Sequence, residues 1–495
     1  MSKINIRRVS NKRGAILTFL SSSFVKLSSL ISVLVFTPLL YSGLGGDKFG
    51  TLQFALRMSA FGGLSNLGAT SYLKIRLNGL LYEDPNDLRG DARKAIGDCL
   101  IQWVIFSPVA LAWCWLGVHI VGLRADVSQS EIWAIALLFL LVPFSQLLSI
   151  PSVALFSSGQ GYRAPVVNAV LGVLGVGGGA IAVQMGFGLF AVALSYLGAQ
   201  CIGGLYSLYL ARRHLPWFGA TKRRKLVDRT QLLGSLGASA SSLTFLGLQQ
   251  VEMAAIGFTE PMAMAGVFAI SAILITATEL VLRLYINALT PVMAAYARQS
   301  EGGFGEHRML GLIITLIYAV SSFIVVGWTA VICSYWVPSS DVLERSIICF
   351  VFFTSYARSL AQYDGFLLDQ KHHFYRKIFL ALLIVAIPII AVCWISGGIL
   401  SIEYFWIIPA CFVIYSITLR NLACGAFAPS DFLSIALLLV LIVLEWYLFE
   451  NLDILLATGI SLIAITVGLV AVWFSPSGRK IRALIRSRHS SKTFA

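Results

Sequence analysis

Residues 132–156 read IWAIALLFLLVPFSQLLSIPSVALF, a run of 25 positions without a charged side chain. A helix that crosses the hydrocarbon core of a bilayer needs about 20 mostly apolar residues. Similar runs recur from one end of the chain to the other. Hydrophobic residues make up 58% of the 495 residues and charged residues only 12%, about half of the charged share in soluble proteins. The sequence therefore predicts an all-α integral membrane protein.

About fourteen membrane spans are predicted by this length rule. The first follows five basic residues and is longer than the apolar part of a secretory signal, so we expect it to be retained. No predicted connection exceeds about 22 residues, which leaves no room for a soluble catalytic domain. The spans are expected at 15–40, 50–72, 95–121, 132–156, 164–184, 187–211, 232–256, 262–290, 309–334, 342–364, 378–396, 399–419, 428–449 and 454–474.

The distribution of lysine and arginine tests this topology independently, because basic residues concentrate in cytoplasmic segments. With both termini cytoplasmic, the inner segments hold 30 of the 37 basic residues, the outer loops hold 3 and the spans hold 4. The net charge of +14 therefore follows membrane topology, and we expect no nucleic-acid partner.

The most basic connector comes after six predicted spans. Transporters built from paired six-helix halves carry their linker at that point. We therefore expect an N-terminal bundle at 1–211, a cytoplasmic linker at 212–231, a second six-helix bundle at 232–420, two further helices at 421–474 and a basic cytoplasmic tail at 475–495.

Basic residues inside the spans are the strongest functional signal, and they are Lys26, Arg57, Arg283 and Arg358. A charge at the bilayer centre costs about 2.5–3.5 kcal/mol on insertion scales, so it usually faces a cavity or a partner. Glu279 precedes Arg283 by four residues, the favoured order for an ion pair along a helix. Arg283 is therefore either neutralised locally or a ligand-binding residue. The other three have no carboxylate three or four residues away, which favours cavity lining over buried ion pairing.

Carboxylates on other helices remain candidate ion-pair partners or coupling residues. Glu252, Asp364 and Asp98 all lie near the ends of predicted spans. Glu279 lies well inside its span, and Glu445 lies toward the outer end of the thirteenth. The four basic residues fall at different depths and would form a ladder of positive charge. Such a ladder suits an anionic cargo, because guanidinium groups bind phosphate oxygens bidentately.

Other catalytic or metal-binding patterns are missing from the sequence. The eight cysteines stand singly without a CxxC pair, which fits neither a disulfide framework nor a zinc site. His372 and His373 have no further ligands nearby. We find no Ser-His-Asp spacing, paired carboxylates or P-loop. We therefore expect no cofactor and no catalytic residues, while coupling to a proton or sodium gradient stays open.

A motif at the first two spans carries a family resemblance. It consists of TPLL at 37–40, LGGDKFG at 44–50 and NLG at 66–68. This stretch resembles the start of the polysaccharide-transport branch of the MOP superfamily, the Wzx-type flippases. In that branch a short LG-x-x-x-[FY]-G turn joins the first two helices. The span count and the six-plus-six layout extend the resemblance along the chain as architecture.

The resemblance implies two six-helix bundles in a V shape, two extra C-terminal helices and a cationic cavity. It also implies a bacterial inner-membrane flippase that moves undecaprenyl-diphosphate-linked oligosaccharide to the periplasmic leaflet by alternating access, for O-antigen or exopolysaccharide assembly. A polysaccharide polymerase and a chain-length regulator are then candidate partners besides the lipid bilayer. By position, Lys26, Arg57 and Arg283 resemble the lumen-lining basic residues of that family. The cavity role of Arg358 is inferred only from the cost of a charge within a span.

Two alternative functions remain open at this point. A lipid II flippase also has fourteen spans and a basic cavity. A membrane-embedded glycan polymerase or ligase acts on the same lipid-linked sugars, but such enzymes usually carry a large outer loop with catalytic residues, and every predicted outer loop here is short. The positive charge expected in the lumen disfavours a drug or cation antiporter.

Overall fold

The structure is a computed structural model. It describes residues 12–64, 68–80, 88–124, 127–160, 162–215, 217–218, 235, 250, 253, 256–257, 261–273, 275–279, 314–338, 345–369 and 429–474. Every regular element within these ranges is helical. The chain divides into two compact units, Met1–Ile270 and Ser271–Ala495.

The first unit is built from seven described helices and most of an eighth. They are α1 (Lys12–Leu44), α2 (Gly46–Ser59), α3 (Ala69–Leu80), α4 (Leu88–Arg124), α5 (Gln129–Leu155), α6 (Arg163–Gln184), α7 (Gly188–His214) and α8 (Met262–Ile273). Helix α6 packs against α1 and α7, and α5 packs against α4 and α7. Small and branched residues from α3, α4, α5 and α7, among them Leu73, Ala95, Ala154 and Ala211, form a fully buried apolar cluster.

The second unit contains four further described helices. They are α9 (Ile314–Trp336), which includes a π turn at Phe323–Gly327, α10 (Arg345–Asp369), α11 (Pro429–Asn451) and α12 (Ile454–Phe474). The π turn packs against α10, α11 and α12. Phe449 and Ala457 join α11 to α12 in a buried apolar cluster, with Phe323 from the π turn against it.

Six of the predicted spans are confirmed as helices long and apolar enough to cross a membrane. Within the described ranges these stretches are Ser23–Leu44, Asp91–Leu123, Gln129–Ser158, Val167–Gln184, Gly188–His214 and Ile314–Trp336. The chain is thus a multi-pass membrane protein, while the total of fourteen spans stays a prediction. The boundary between α6 and α7 falls where it was expected, and the backbone turns there through Gly186 and Gly188 at positive φ.

The second predicted span, 50–72, is not one continuous helix. Helix α2 ends at Ser59, a 3₁₀ turn occupies Ala60–Leu64, and α3 begins only at Ala69, after Gly68 with a φ of 71°. The adjacent glycines Gly62 and Gly63 weaken the helix here. The amide of Gln146 on α5 donates a hydrogen bond to the Gly63 carbonyl (2.8 Å), so a backbone group at this break has a partner inside the protein.

Helix α2 approaches α8 at unusually short range through Gly50. A methyl group at this position would overlap the carbonyl oxygen of Met262. Residues without a large side chain allow two helix backbones to come this close, which is how helices in membranes often associate. The glycine that closes the quoted turn motif is therefore a packing requirement between α2 and α8.

The Gly50→Ala variant should be destabilised, because the added methyl group must push α8 away from α2. Overpacking of this kind costs about 1–3 kcal/mol. Thermal unfolding of the detergent-purified variant should therefore begin at a lower temperature than that of the original protein. Gly172→Ala is the matched control, since nothing lies within 4 Å of the added carbon there. Equal melting temperatures for the two variants would contradict the close α2–α8 contact.

Candidate functional site

Lys26 lies deep in α1, inside the candidate span Ser23–Leu44, and its side chain is half-buried. Neighbouring serines satisfy their own hydroxyl groups along this helix: Ser28 donates to the Phe24 carbonyl (2.7 Å) and Ser32 to the Ser28 carbonyl (2.8 Å). These two serines therefore bond within their own helix. Lys26 lies in a stretch long and apolar enough to cross a membrane.

Arg57 lies two residues before the end of α2, directly ahead of the break at Ala60–Leu64. Its side chain is half-buried, as is that of Gln53 one turn earlier. Discontinuous helices in transporters place helix ends and exposed backbone groups at substrate sites. Arg57 therefore lies beside a helix break, at the C-terminal end of α2, where the helix dipole favours a positive side chain.

The break is held from the α5 side by residues that the sequence argument did not select. Besides its hydrogen bond from Gln146, the turn lies against Pro143 of α5 and Trp113 of α4, both of which would contact any side chain added at Gly62. Gln146 stands between Pro143 and Pro151, in a run whose other polar residues are serines. That isolated amide was the signal that could have revealed it.

In the second unit, Arg358 on α10 forms an ion pair with Glu279. Both side chains are buried, with 6% and 7% of their residue surface exposed. The hydroxyl of Ser355 donates a second hydrogen bond to the same Glu279 oxygen (2.7 Å). The contact seen for Arg358 is thus a buried ion pair, the alternative that the sequence argument favoured less.

A chain of buried hydroxyl groups extends this ion pair toward α9. The hydroxyl of Tyr318 lies 2.8 Å from that of Ser355 and 2.7 Å from that of Ser359. Close by, the hydroxyls of Thr315 and Tyr356 lie 2.9 Å apart. Tyr318 and Tyr356 are completely buried. These residues connect α9 and α10 through polar contacts, and the sequence analysis did not select Tyr318, Ser359 or the Thr315–Tyr356 pair.

The remaining candidates are located as follows. Asp98 on α4 pairs with Arg76 on α3 (3.3 Å), so this predicted partner is engaged by a residue near it in the fold. Arg283 and Glu252 lie outside the described residues, as does the side chain of Asp364 on α10. The pairing of Glu279 with Arg283 therefore stays a prediction.

Within the described ranges no group of three or more His, Cys, Asp or Glu side chains is arranged to hold a metal ion.

Comparison with known proteins gives the fold of the chain. No protein-family model matches the sequence, and no curated protein matches it. Among solved structures, the lipid II flippase MurJ in an inward closed conformation is similar with 14% sequence identity and a TM-score of 0.61. That match covers 92% of this chain and 99% of MurJ.

Two other transporters are similar as well. The MATE multidrug transporter DinF-BH has 14% identity and a TM-score of 0.53, covering 83% of this chain and 95% of DinF-BH. A MOP superfamily transporter from Pyrococcus furiosus has 14% identity and a TM-score of 0.52, covering 86% and 96%. At these identities the likeness establishes architecture: the chain has the fold shared by MurJ and the MATE transporters.

Breaking the buried ion pair should destabilise the protein more than removing it entirely. Arg358→Gln or Glu279→Gln alone leaves a buried charge without its counter-charge, which costs about 3–5 kcal/mol. The double variant removes both charges, and its melting temperature should lie above those of both single variants. Glu450→Gln is the control, because Glu450 is exposed in its pair with Arg345 (3.5 Å) and such pairs contribute about 0–1 kcal/mol. Additive losses in the double variant would contradict the pairing.

Proposed function

We propose that this chain is a flippase that carries a lipid-linked oligosaccharide diphosphate across the inner membrane of a bacterium. The observation that carries the proposal is Arg57 at the end of a broken helix, in a chain that has the fold of MurJ and the MATE transporters. The fold supports transport, and the positive charge of a half-buried guanidinium group supports an anionic cargo.

The chemistry of the two half-buried cations suits a diphosphate. A guanidinium group presents paired N–H donors that match two phosphate oxygens, and an ammonium group adds a second positive charge. Arg57 and Lys26 are both half-buried, and in this proposal the exposed part of each side chain faces the cargo. In the proposed cycle these side chains bind the diphosphate from the cytoplasmic side. The isoprenoid chain stays in lipid, and alternating access then releases the head group outward.

The activity of one neighbour argues for a different cargo, but the charges here do not support it. DinF-BH is a multidrug transporter, and a cationic drug would need an available carboxylate. Glu279 is already neutralised by Arg358 and bound by Ser355. This engagement leaves Glu279 unavailable as the counter-charge of a cationic drug.

Two lipid-linked sugars fit the proposal. The motif at 44–50 favours an undecaprenyl-diphosphate-linked repeat unit for O-antigen or exopolysaccharide, because it resembles the Wzx-type turn. The similarity to MurJ over 92% of this chain favours lipid II with equal force. Both cargoes contain the diphosphate and the isoprenoid. In this proposal Lys26 and Arg57 bind the diphosphate, so they would serve either cargo.

Depletion of the protein distinguishes these cargoes. For a repeat-unit flippase, we expect undecaprenyl-linked repeat units to accumulate in the inner leaflet, with loss of one surface glycan and continued growth. For a lipid II flippase, we expect lipid II to accumulate there, followed by lysis. Leaflet-resolved analysis of the lipid-linked intermediates is the measurement. Accumulation of single units in the outer leaflet would instead indicate a polymerase and refute the proposal.

Changing Arg57 or Lys26 to alanine should abolish glycan export while leaving the protein in the membrane. Arg57→Lys should retain part of the activity, because lysine keeps the charge but loses bidentate binding. Lys48→Ala is the matched control on α2, since Lys48 is exposed and paired with Glu131 (2.8 Å), and it should export normally. Quantified surface glycan at equal membrane abundance is the readout. Normal export by both alanine variants would rule out the cationic site.

A further inference from the structure

Helix α11 buries one carboxylate on a face that is otherwise apolar. Leu438, Ile442, Glu445 and Phe449 follow one another at helical spacing, and all four are buried. The opposite face is exposed and apolar, with Val440, Val443 and Tyr447 among its residues. Glu445 has 0% of its surface exposed. It therefore occupies a core position where its neighbours along the helix are hydrophobic.

The groups shown near Glu445 come from α9 and α10. At the end of α11, the Arg345 side chain from α10 donates a hydrogen bond to the Phe449 carbonyl and pairs with Glu450 (3.5 Å). Cys349 follows Arg345 by one turn along α10, and it is close enough to Glu445 for the two side chains to interact electrostatically. Ser322 of α9 lies beside the carboxylate.

Helix α12 offers a polar group but no charge. Ser461 is fully buried and lies as far from the α11–α12 turn as Glu445 does, so the hairpin brings both to the same level. The sequence of α12 contains no titratable residue.

On α9, the hydroxyl of Tyr318 bonds to Ser355 and Ser359. The titratable and charged groups around Glu445 in the described residues are therefore Cys349, Arg345 and Glu450.

The hydrogen bonds around the carboxylate are incomplete. Neither oxygen of Glu445 has a hydrogen-bond partner among the described residues, and the hydroxyl of Ser461 has none either. The Ser322 hydroxyl donates to the Ala319 carbonyl (2.8 Å) and also lies close to the Glu445 carboxyl group, from which its oxygen can accept a hydrogen bond. A charged carboxylate here would be desolvated without compensation. A protonated carboxyl would instead be a donor facing an available acceptor.

We propose that Glu445 is a proton-binding site and that its bound proton holds α11 and α12 against the π turn of α9. In the protonated state, the carboxyl O–H donates to the Ser322 hydroxyl, which continues to donate to the Ala319 carbonyl. Loss of the proton to water leaves a carboxylate that must be hydrated, and this separates α11 from α9. The π turn begins at the next residue, Phe323, and such turns are frequent at functional sites in helices.

The proton site goes beyond the proposed function and does not depend on it. If the chain is a flippase, protonation of Glu445 would make its transport cycle respond to pH, and that consequence alone rests on the proposed function. The site itself is testable in the protein without any cargo.

Infrared difference spectroscopy of the full-length protein in lipid nanodiscs detects the proton directly. The original protein should show a protonated-carboxyl C=O band that disappears as the pH is raised, and Glu445→Gln should lack this band. Glu445→Asp should keep a titrating band, and the exposed control Glu450→Gln should match the original protein. In Ser322→Ala the band should shift to higher wavenumber, because the carboxyl O–H loses its acceptor.

Hydrogen–deuterium exchange of the Phe323–Gly327 turn tests the coupling to the helices. Exchange should rise with pH beyond its intrinsic pH dependence in the original protein and in Glu450→Gln, and this extra rise should be lost in Glu445→Gln. The same infrared band in the original protein and Glu445→Gln would overturn the site. So would a carboxylate band of Glu445 that responds to sodium chloride but not to pH, which would replace the proton by sodium. Failure of glycan flipping with an intact titrating band would refute the proposed function alone.

Discussion

Hydrocarbon offers no hydrogen bonds, so each polar group within a membrane span must find its partner inside the protein. This constraint accounts for the main polar contacts of the structure. Gln146 provides a donor to the carbonyl at the break after α2, and Glu279 provides the counter-charge for Arg358. Serines such as Ser145 and Ser149 bond to carbonyls of the preceding turn. For these side chains, the position follows from the group that each one satisfies.

Hydropathy predicted the helices well because a span is defined by length and apolar content, which a sequence window measures directly. It failed at the break between α2 and α3 for the same reason. Ala60, Phe61, Gly62 and Gly63 are all apolar, so a window over 50–72 keeps its hydropathy while the backbone leaves the helix. The interruption depends on backbone freedom at two glycines and on an amide 83 residues away in the sequence, and neither contributes to hydropathy.

The charged residues show a related limit of sequence reasoning. Glu279 and Arg358 both lie within predicted spans, and spacing along one helix offered only Arg283 as a partner for Glu279. The structure joins Glu279 to Arg358, 79 residues away, while the contact with Arg283 stays a prediction. Periodicity detects partners one turn apart, whereas a contact between helices depends on how they pack. The sequence could therefore name the residues of the site, but it could not decide which of them were neutralised.

The different environments of these cations separate their roles. An ion pair has no net charge and its field falls off quickly with distance, so the buried Arg358 with Glu279 contributes little to attracting an anion from water. Its network with Ser355 and Tyr318 instead connects helices of the second unit. Lys26 and Arg57 are half-buried in the first unit, and the role proposed for them is to attract the anionic cargo. The four cations inferred from the sequence are therefore not one uniform group: Arg358 acts through the packing of the second unit, whereas anion binding by Lys26 and Arg57 stays a proposal.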